Sequence, residues 1–420
     1  MLRVSRYVIC GGNKLCGSAE VHGAKNSALP LMAAAVLTGG ENVLFNCPDL
    51  SDTDASMRIL RYLGCEARRE SDAVIINSSH MFRGDIPDDL MREMRSSIVF
   101  LGAILSRTGR AVMTFPGGCE LGPRPIDLHI KALKALGAEI VERHGIIECT
   151  AGKGLKGAKI ALSFPSVGAT ENIILAAVKA EGTTTITNAA REPEIVDLCD
   201  FLNSAGACIY GAGEGVIVID GVKTLSGVQH TIIPDRIVAA TLMSAAAATG
   251  SDIEIDGIIQ AHLSSIIPVF EESGCFVKCD CGTMHIKAPE RLRAMPIIRT
   301  MPYPGFPTDA QAPVMAAATV AEGASVFVEN IFENRFKHVT ELIRLGADIK
   351  VENKVAVVNG VKSLYAANVQ AQDLRGAAGL IVAALAAEGK TEISGIEYLE
   401  RGYENFELLL SSLGADVLKV

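Results

Sequence analysis

A repeated pattern divides this chain of 420 residues into six similar units. In each unit an amphipathic helical segment is followed by a glycine and then by a segment with strand-like alternation. The glycines are Gly64, Gly137, Gly206, Gly274, Gly346 and Gly414, and their spacings are 73, 69, 68, 72 and 68 residues. A glycine in this place can adopt the left-handed conformation that ends a helix. The chain is therefore predicted to repeat one α/β unit six times.

Each unit also contains an earlier helical segment that is rich in small and apolar residues. Residues 239–248 and 379–387 are examples, each with a run of alanines. A helix that is apolar almost all round belongs inside a layer of other elements, whereas an amphipathic helix can face water. We therefore predict a buried helix, a strand, a half-exposed helix and further strands in each unit.

The length of the repeat favours two compact domains over one solenoid. Solenoid repeats are usually about 20–50 residues long, and the repeat found here is longer. Two clusters of three units, with helices at the centre and sheets around them, bury the small-residue helices more economically. The join is expected within residues 228–235, where Pro234 interrupts the pattern.

The composition indicates a packed globular protein and disfavours nucleic acid as a partner. Hydrophobic residues make up 49% of the chain and charged residues 21%, which excludes extensive disorder. The net charge of −9 repels polyanions unless cations are concentrated locally, and the aromatic share of 5% is low for a protein that binds by stacking on bases. We expect no nucleic-acid partner.

Apolar patterning gives no indication of a membrane partner or of secretion. The first apolar run is interrupted at residues 10–13, before a signal-peptide core could form. The most apolar windows fall short of the roughly 20 residues that a membrane span requires. We expect a cytoplasmic protein that does not associate with membranes.

The eleven cysteines indicate reduced thiols and neither a disulfide framework nor a metal site. An odd number in a long chain without a leader favours a reducing compartment. Cys275, Cys279 and Cys281 cluster with His285, but their spacing does not match a zinc site. No dinucleotide fingerprint or P-loop opens a helix, so we expect no cofactor and no metal.

The least repetitive stretch is the sequence FPGGCELGPRPIDLH at residues 115–129. Its glycines and prolines predict an exposed loop. Cys119 lies on this loop, five residues before Arg124, and a neighbouring cation lowers the pKa of a thiol. The thiol could act as a nucleophile or proton donor; the alternative is an incidental cysteine on a surface loop.

Charged residues recur at the junctions between elements. Lys25 and Asn26 open a small-residue helix, where free N–H groups and a cation could hold an anion. Each junction residue by itself is equally compatible with a helix cap or a surface ion pair. The others are Arg95, Asp309, Arg335, Asp373, Arg375 and Arg401.

Nine motifs along the whole chain resemble the enolpyruvyl transferase family. The resemblance is strongest to members that act on a UDP-sugar, since relatives that act on shikimate 3-phosphate lack the loop cysteine. The motifs are GAKN (23–26), MRSSI (94–98), PGGCELGPRPIDLH (116–129), SVGATEN (166–172), AREPEIVD (190–197), PGFPTDAQ (304–311), FENRF (332–336), DLRG (373–376) and RGYE (401–404).

The resemblance implies a two-domain inside-out α/β barrel, with three copies of the unit in each domain. Residues 19–229 are expected to form the domain that carries the cysteine loop. Residues 1–18 and 230–420 are expected to form the other domain. This fold agrees with the six repeats.

The implied reaction transfers the enolpyruvyl group of phosphoenolpyruvate to the 3′-hydroxyl of UDP-N-acetylglucosamine and releases phosphate, the first committed step of peptidoglycan synthesis. These two small molecules are the expected partners. The alternative is a non-catalytic or regulatory paralogue of the same fold that binds a UDP-sugar.

The resemblance also assigns roles to individual residues. Cys119 is expected to protonate C3 of phosphoenolpyruvate and Asp309 to take the proton of the sugar hydroxyl, with Glu192 as the open alternative for that base. Arg335 and Asp373 are expected to support the site. The expected phosphoenolpyruvate ligands are Lys25, Asn26, Arg124, Arg375 and Arg401. The expected UDP-sugar contacts are Arg95, Arg124, Pro125, Ile126, Asp127, Leu128, Phe164, Pro165, Ser166, Val167, Asp309 and Ile331.

One departure from the family pattern bears on nucleotide binding. Phe164 and Pro165 stand where some members carry lysine and valine. A cationic contact to the nucleotide is therefore not expected at this position.

Overall fold

The structure, a computed structural model, describes residues 5–115 and 126–420, apart from the side chain of Arg95. The α-helices of this part are α1 Lys25–Thr38, α2 Ser51–Leu63, α3 Asp88–Glu93, α4 Phe100–Thr108, α5 Asp127–Ala135, α6 Val167–Ala177, α7 Pro193–Ser204, α8 Arg236–Thr249, α9 Ile267–Glu272, α10 Gln311–Ala318, α11 Val339–Arg344, α12 Leu374–Ala386 and α13 Phe406–Ser412. Short 3-10 helices span Arg95–Val99, Gln260–Leu263, Thr308–Ala310 and Ile396–Arg401.

Strands alternate with these helices along the whole described chain. They are β1 Arg6–Gly11, β2 Cys16–Glu20, β3 Glu41–Phe45, β4 Glu66–Glu70, β5 Ala73–Asn77, β6 Asp85–Ile86, β7 Arg110–Thr114, β8 Glu139–Arg143, β9 Ile146–Thr150, β10 Lys159–Ala161, β11 Thr183–Thr187, β12 Cys208–Tyr210 and β13 Val216–Asp220. The remaining strands are β14 Gln229–Thr231, β15 Asp252–Asp256, β16 Phe276–Asp280, β17 Thr283–Lys287, β18 Ile298–Arg299, β19 Ala324–Val328, β20 Asp348–Glu352, β21 Val355–Asn359, β22 Leu364–Tyr365, β23 Asn368–Gln370, β24 Ala387–Ser394 and β25 Asp416–Lys419.

The described residues divide into two compact units, 5–22 with 234–420 and 23–115 with 126–233. The chain passes between them after His22 and after Ile233, four residues later than the predicted borders at 18/19 and 229/230. Strand pairing explains why both borders lie later in the sequence than predicted. β2 runs to Glu20 and pairs with β15, whereas β14 begins at Gln229 and pairs with β3.

Three sheets of the same construction form the unit of residues 23–233. Their strand orders are β14-β3-β5-β4, β6-β7-β9-β8 and β10-β11-β13-β12. In each sheet the first pair is parallel and the two following pairs are antiparallel. The threefold repetition predicted from the glycine spacing is therefore present in this unit.

The other unit repeats this construction, and the N-terminal strand completes its third sheet. Two of its sheets have the orders β16-β17-β15-β2 and β18-β19-β21-β20, again with one parallel pair each. In the third sheet β22 and β23 pair with β24 in parallel, while β1 lies antiparallel between β24 and β25. The first strand of the chain thus completes the last repeat.

Small-residue helices form the centre of each unit. α1, α4 and α6 pack against one another in one unit, and α8, α10 and α12 do so in the other. Thirteen of the 14 residues of α1 and all eight of α10 are buried. Helices such as α2 bury one face only, through Ile59, Leu60 and Leu63. The predicted division into buried and half-exposed helices is confirmed.

The six glycines of the repeat end their helices as predicted. All six have positive φ angles, between 84° and 103°. Most other residues resist this backbone conformation, since a side chain would clash with the neighbouring carbonyl oxygen. The spacing of these glycines in the sequence therefore follows the spacing of the structural units.

Helix length bears on the membrane prediction. α1 and α8, with 14 residues each, are the longest α-helices of the described part. A transmembrane helix needs about 20 predominantly apolar residues. Within residues 5–115 and 126–420, no helix has the length and apolarity to cross a bilayer.

Candidate active site

Lys25, the first residue of α1, forms a buried ion pair. Its Nζ lies 2.6 Å from Oδ2 of Asp52, and the two side chains are 9% and 2% exposed. Asn26 follows on the same turn and is half-buried. A cation at the start of a helix adds to the positive end of the helix dipole, so this end of α1 suits an anionic ligand.

Asp52 was not predicted from the sequence. It lies in the first turn of α2, where an acidic residue is favoured by the helix dipole alone. The sequence SDTD at 51–54 therefore indicates a helix start and gives no sign that Asp52 faces Lys25.

A cluster of polar side chains fixes the first turn of α1. Ser27 donates a hydrogen bond from Oγ to the carboxylate of Asp197, and Nε2 of His230 lies 2.7 Å from Oδ1 of the same carboxylate. Asp197 is 4% exposed and lies on α7, whereas His230 lies on β14. Since Ser27 is two residues after Lys25, this cluster holds the start of α1 against α7 and β14.

The predicted UDP-sugar residues of this unit that the structure describes lie at, or just before, the starts of helices. Ile126 is the N-cap of α5, and Asp127 and Leu128 form its first turn. Ser166 is the N-cap of α6, and its side chain accepts the N–H of Ala169. Phe164, in the preceding loop, is 43% exposed, Pro165 is half-buried and Val167 opens α6.

Some predicted site residues lie outside the part that the structure describes. Cys119, Arg124 and Pro125 fall within residues 116–125. Arg95 opens the 3-10 helix Arg95–Val99, but its side chain is not described. The roles of these residues stay predictions.

Asp309 lies between two buried arginines in the other unit. Nη2 of Arg335 is 2.9 Å from Oδ1 of Asp309, and Nη2 of Arg375 is 3.0 Å from Oδ2. Both arginine side chains are 3% exposed, whereas that of Asp309 is 29% exposed. Each carboxylate oxygen thus accepts a charge-assisted hydrogen bond from an arginine, while part of the carboxylate is exposed to solvent.

Glu329, which the sequence did not single out, orders the surroundings of Asp309. Its Oε2 accepts the hydroxyl of Thr308 at 3.1 Å, and its Oε1 accepts the backbone N–H groups of Ile331 and Phe332. Glu329 is 1% exposed. It therefore fixes the segment that carries the predicted contact Ile331 beside the 3-10 turn that carries Asp309.

Arg375 remains charged despite its burial. Burial lowers its pKa, but the Asp309 carboxylate and nearby Tyr403 and Asp235 outweigh this effect, so that the pKa of Arg375 is raised. Asp373 caps α12 by accepting the N–H groups of Arg375 and Gly376. Asp373, which is predicted to support the site, is thus a helix cap that holds the backbone of Arg375.

The surroundings of Arg335 include a neutral histidine. Burial lowers the pKa of His338 to about 4, although neighbouring Asp373 raises it in part. The charge near Asp309 therefore comes from the arginines and not from imidazole. Arg401, the remaining predicted ligand of this unit, ends the 3-10 helix Ile396–Arg401 and is half-buried.

Three glutamates form an acidic group in the unit of residues 23–233. Burial, together with the negative charges of Glu194 and Glu192, raises the pKa of Glu171 to about 8. Glu171 therefore carries a proton at neutral pH for a large part of the time. Glu192, the alternative base, belongs to this group and not to the unit that contains Asp309.

The described residues offer no candidate metal site. Within 5–115 and 126–420, no three side chains of the types His, Cys, Asp or Glu converge in a way that could hold a metal ion. Cys281, in the segment that was considered for zinc, is exposed, whereas Cys275 is buried.

Comparison with known proteins assigns the family. Residues 9–410 match the family described as EPSP synthase (3-phosphoshikimate 1-carboxyvinyltransferase). A relative from Caldanaerobacter subterraneus subsp. tengcongensis, named UDP-N-acetylglucosamine 1-carboxyvinyltransferase 2, is 48% identical over 417 residues, which cover 99% of this chain and 100% of the relative.

Solved structures have the same fold. The enolpyruvyl transferase NikO from Streptomyces tendae aligns with a TM-score of 0.90 at 26% identity, over 99% of each chain. An EPSP synthase from Acinetobacter baumannii aligns with a TM-score of 0.74 at 21% identity, over 99% of this chain and 100% of that one. The predicted fold class is confirmed, and the chain belongs to the EPSP synthase family of enolpyruvyl transferases.

Proposed function

We propose that this protein transfers the enolpyruvyl group of phosphoenolpyruvate to the 3′-hydroxyl of UDP-N-acetylglucosamine and releases phosphate, as the first committed step of peptidoglycan synthesis. The observation that carries the choice of acceptor is the 48% identity to a UDP-N-acetylglucosamine 1-carboxyvinyltransferase over nearly the whole chain. The reaction is proposed to take place in the cytoplasm.

The charges of the site support two anionic substrates. The chain carries a net charge of −9, so its average field repels anions. The predicted phosphoenolpyruvate ligands Lys25 and Arg375 are nevertheless buried cations, each held beside a carboxylate. A guanidinium group offers forked donors to a carboxylate or phosphate, and an ammonium group offers a compact charge.

The surroundings of Asp309 suit a base that takes a proton from a hydroxyl group. The Asp309 side chain is 29% exposed, so a hydroxyl group can reach part of the carboxylate. The two guanidinium groups stabilise the negative charge, which keeps the carboxylate in the ionised form that a general base requires. A hydroxyl group that approaches the exposed face would come within hydrogen-bond reach, as general base catalysis requires.

The proposed steps conserve protons. Cys119 gives a proton to C3 of phosphoenolpyruvate while the sugar oxygen attacks C2 and Asp309 takes the hydroxyl proton. The C2–O bond to phosphate then breaks, the proton held by Asp309 leaves with the phosphate, and a proton returns from C3 to the Cys119 thiolate as the double bond is restored. Lys25, Arg124 and Arg401 are proposed to stabilise the negative charge of the phosphoenolpyruvate group throughout.

Phosphate release with two acceptors tests the proposed function. We expect the purified protein to release phosphate from phosphoenolpyruvate when UDP-N-acetylglucosamine is added, with mass spectrometry showing an enolpyruvyl product. We expect no release with shikimate 3-phosphate. Release with shikimate 3-phosphate alone would instead assign the other activity of the family, and binding of UDP-N-acetylglucosamine without any release would favour a non-catalytic paralogue.

Alkylation tests the role assigned to Cys119. Burial raises the pKa of the thiols of Cys65, Cys149, Cys199 and Cys275 to about 11–12, so these side chains are poor nucleophiles. We expect the epoxide fosfomycin to add once per chain, at Cys119, in peptide mass spectrometry. Replacing Cys119 with alanine should abolish the adduct and lower turnover roughly 10²–10⁴-fold, the usual contribution of a general acid.

The exposed cysteines Cys16 and Cys281 provide the control for this experiment. Iodoacetamide should label them, whereas fosfomycin should not. If fosfomycin modifies Cys16 or Cys281 as fast as Cys119, the loop thiol is not specially activated. Replacing Cys281 with alanine should leave turnover unchanged.

A further inference from the structure

Asn172 joins segments that are assigned to the UDP-sugar site by resemblance alone. It lies on α6, and its side chain is fully buried. Its Oδ1 accepts the backbone N–H of Gly102 on α4 at 2.7 Å, and its Nδ2 donates to the backbone oxygen of Ile98 at 3.1 Å. Ile98 belongs to the 3-10 helix that begins at Arg95.

His129 on α5 is the third partner of the Asn172 amide. Nδ2 of Asn172 lies 3.0 Å from Nδ1 of His129. Burial lowers the pKa of His129 to about 4, although Asp127 raises it in part, so the imidazole is neutral near pH 7. A neutral ring can accept the amide N–H at Nδ1 while it carries its own proton on Nε2.

The backbones of α4 and α6 approach each other closely at Asn172, which leaves its side-chain amide little freedom to move. A Cβ atom added to Gly102 would lie 2.3 Å from the backbone oxygen of Asn172, so α4 and α6 touch without an intervening side chain. A Cβ atom at Gly168, in the first turn of α6, would lie 3.2 Å from Cε1 of His129. The imidazole therefore packs directly against the start of α6.

Two partners of Asn172, and Asn172 itself, lie near predicted UDP-sugar residues. Ile98 is three residues from Arg95, His129 follows Leu128 directly, and Asn172 is on the helix that follows Ser166. These stretches of chain are about 30 to 75 residues apart in sequence. The hydrogen bonds from Asn172 to Gly102, Ile98 and His129 span 70, 74 and 43 positions. One buried amide thus sets the relative positions of all three.

We infer that Asn172 is a positioning residue that sets the affinity for the UDP-sugar by holding these three segments together. The inference rests on the proposed function, because the UDP-sugar is the ligand whose contacts the segments carry. Asn172 need not touch the ligand itself. A misplacement of about 1 Å in positioning residues is enough to cause a large loss of binding or rate.

Calorimetric binding of UDP-N-acetylglucosamine to the purified protein tests this inference. For Asn172→Ala we expect Kd to rise about tenfold, because the three segments lose their common partner. The unfolding temperature should also fall, since the N–H of Gly102 loses its buried acceptor. Loss of stability alone would not separate a positioning role from a structural one, so a matched control is needed.

Asn42→Ala is that control. Asn42 is also fully buried in the same unit, and its amide donates to Thr38, Gly40 and Ile76 and accepts from Val228. It lies beyond the C-terminal end of α1, about 20 Å along the helix from Lys25 at 1.5 Å per residue. We expect Asn42→Ala to lower the unfolding temperature by a similar amount and to leave Kd within twofold.

The milder variant His129→Ala keeps the inference testable if Asn172→Ala does not fold. It removes one hydrogen bond of the amide and should raise Kd about threefold, while the double variant should bind no more weakly than Asn172→Ala alone, because the two side chains share that bond. Equal Kd values for all variants, or equal losses in Asn172→Ala and Asn42→Ala, would overturn the inference. A wild-type protein that does not bind the UDP-sugar would overturn the proposed function itself.

Discussion

Replacing Asp309 with asparagine should lower turnover roughly 10²–10⁴-fold, the usual contribution of a general base, while UDP-N-acetylglucosamine still binds. An amide cannot take the proton of the sugar hydroxyl. The asparagine would also point an amide N–H group at Arg335 or Arg375. Because both arginines donate to the Asp309 carboxylate in the wild type, one donor would then face another. The expected signature is therefore a large fall in kcat with Kd for the UDP-sugar within about threefold, measured by phosphate release and calorimetry.

Two further variants separate proton transfer from the structural role of the ion pairs. Asp252→Asn is the matched control, since Asp252 pairs with His285 and Lys287 on the surface of the same unit, and its turnover should be normal. Arg335→Lys keeps the positive charge near Asp309 but loses the forked geometry, and an intermediate kcat is expected. Normal turnover in Asp309→Asn would exclude Asp309 as the base and leave Glu192 as the alternative.

Much of the fold could be predicted because it depends on local patterns. The glycine after each amphipathic helix marks a helix end, and a helix end needs no information from distant residues. The borders between the two compact units were predicted less well. They depend on which strand β2 and β14 join, and those partners are β15 and β3, more than 180 residues away in sequence.

Prediction of the site residues has the same limit, because contacts between residues distant in sequence leave no local pattern. Lys25, Asp309 and Arg375 could be named because they stand in motifs that resemble a known family. Asp52 and Asn172 were missed, since an acidic residue in a first helical turn and a polar residue within a helix have ordinary local explanations. Their partners lie on other elements, and the fold alone brings them into contact.

Replacing Lys25 with methionine should abolish measurable turnover and also destabilise the protein. The ammonium group is a predicted ligand of phosphoenolpyruvate, and it lies 2.6 Å from the Asp52 carboxylate, which is 2% exposed. Removing one partner of a buried ion pair typically costs about 3–5 kcal/mol, because a charge remains in a site of low polarity. Urea unfolding measures this loss, and phosphate release measures turnover.

A second substitution distinguishes the two roles of Lys25. In Lys25→Met/Asp52→Asn the buried carboxylate charge is removed as well, so a large part of the lost stability should return. Turnover should stay at background, because no cation is left at this position for the phosphoenolpyruvate group. If turnover returns together with stability, the role of Lys25 is structural and not that of a ligand.

An exposed ion pair on α2, the helix that carries Asp52, provides a reference for these stability changes. Arg58 on α2 pairs with Glu93, and both side chains are at least 40% exposed. Exposed ion pairs contribute about 0–1 kcal/mol, so Arg58→Met should unfold almost as the wild type does and keep full turnover. A similar loss of stability in Arg58→Met and Lys25→Met would mean that burial does not strengthen the Lys25–Asp52 pair, whereas the expected difference would show that burial does.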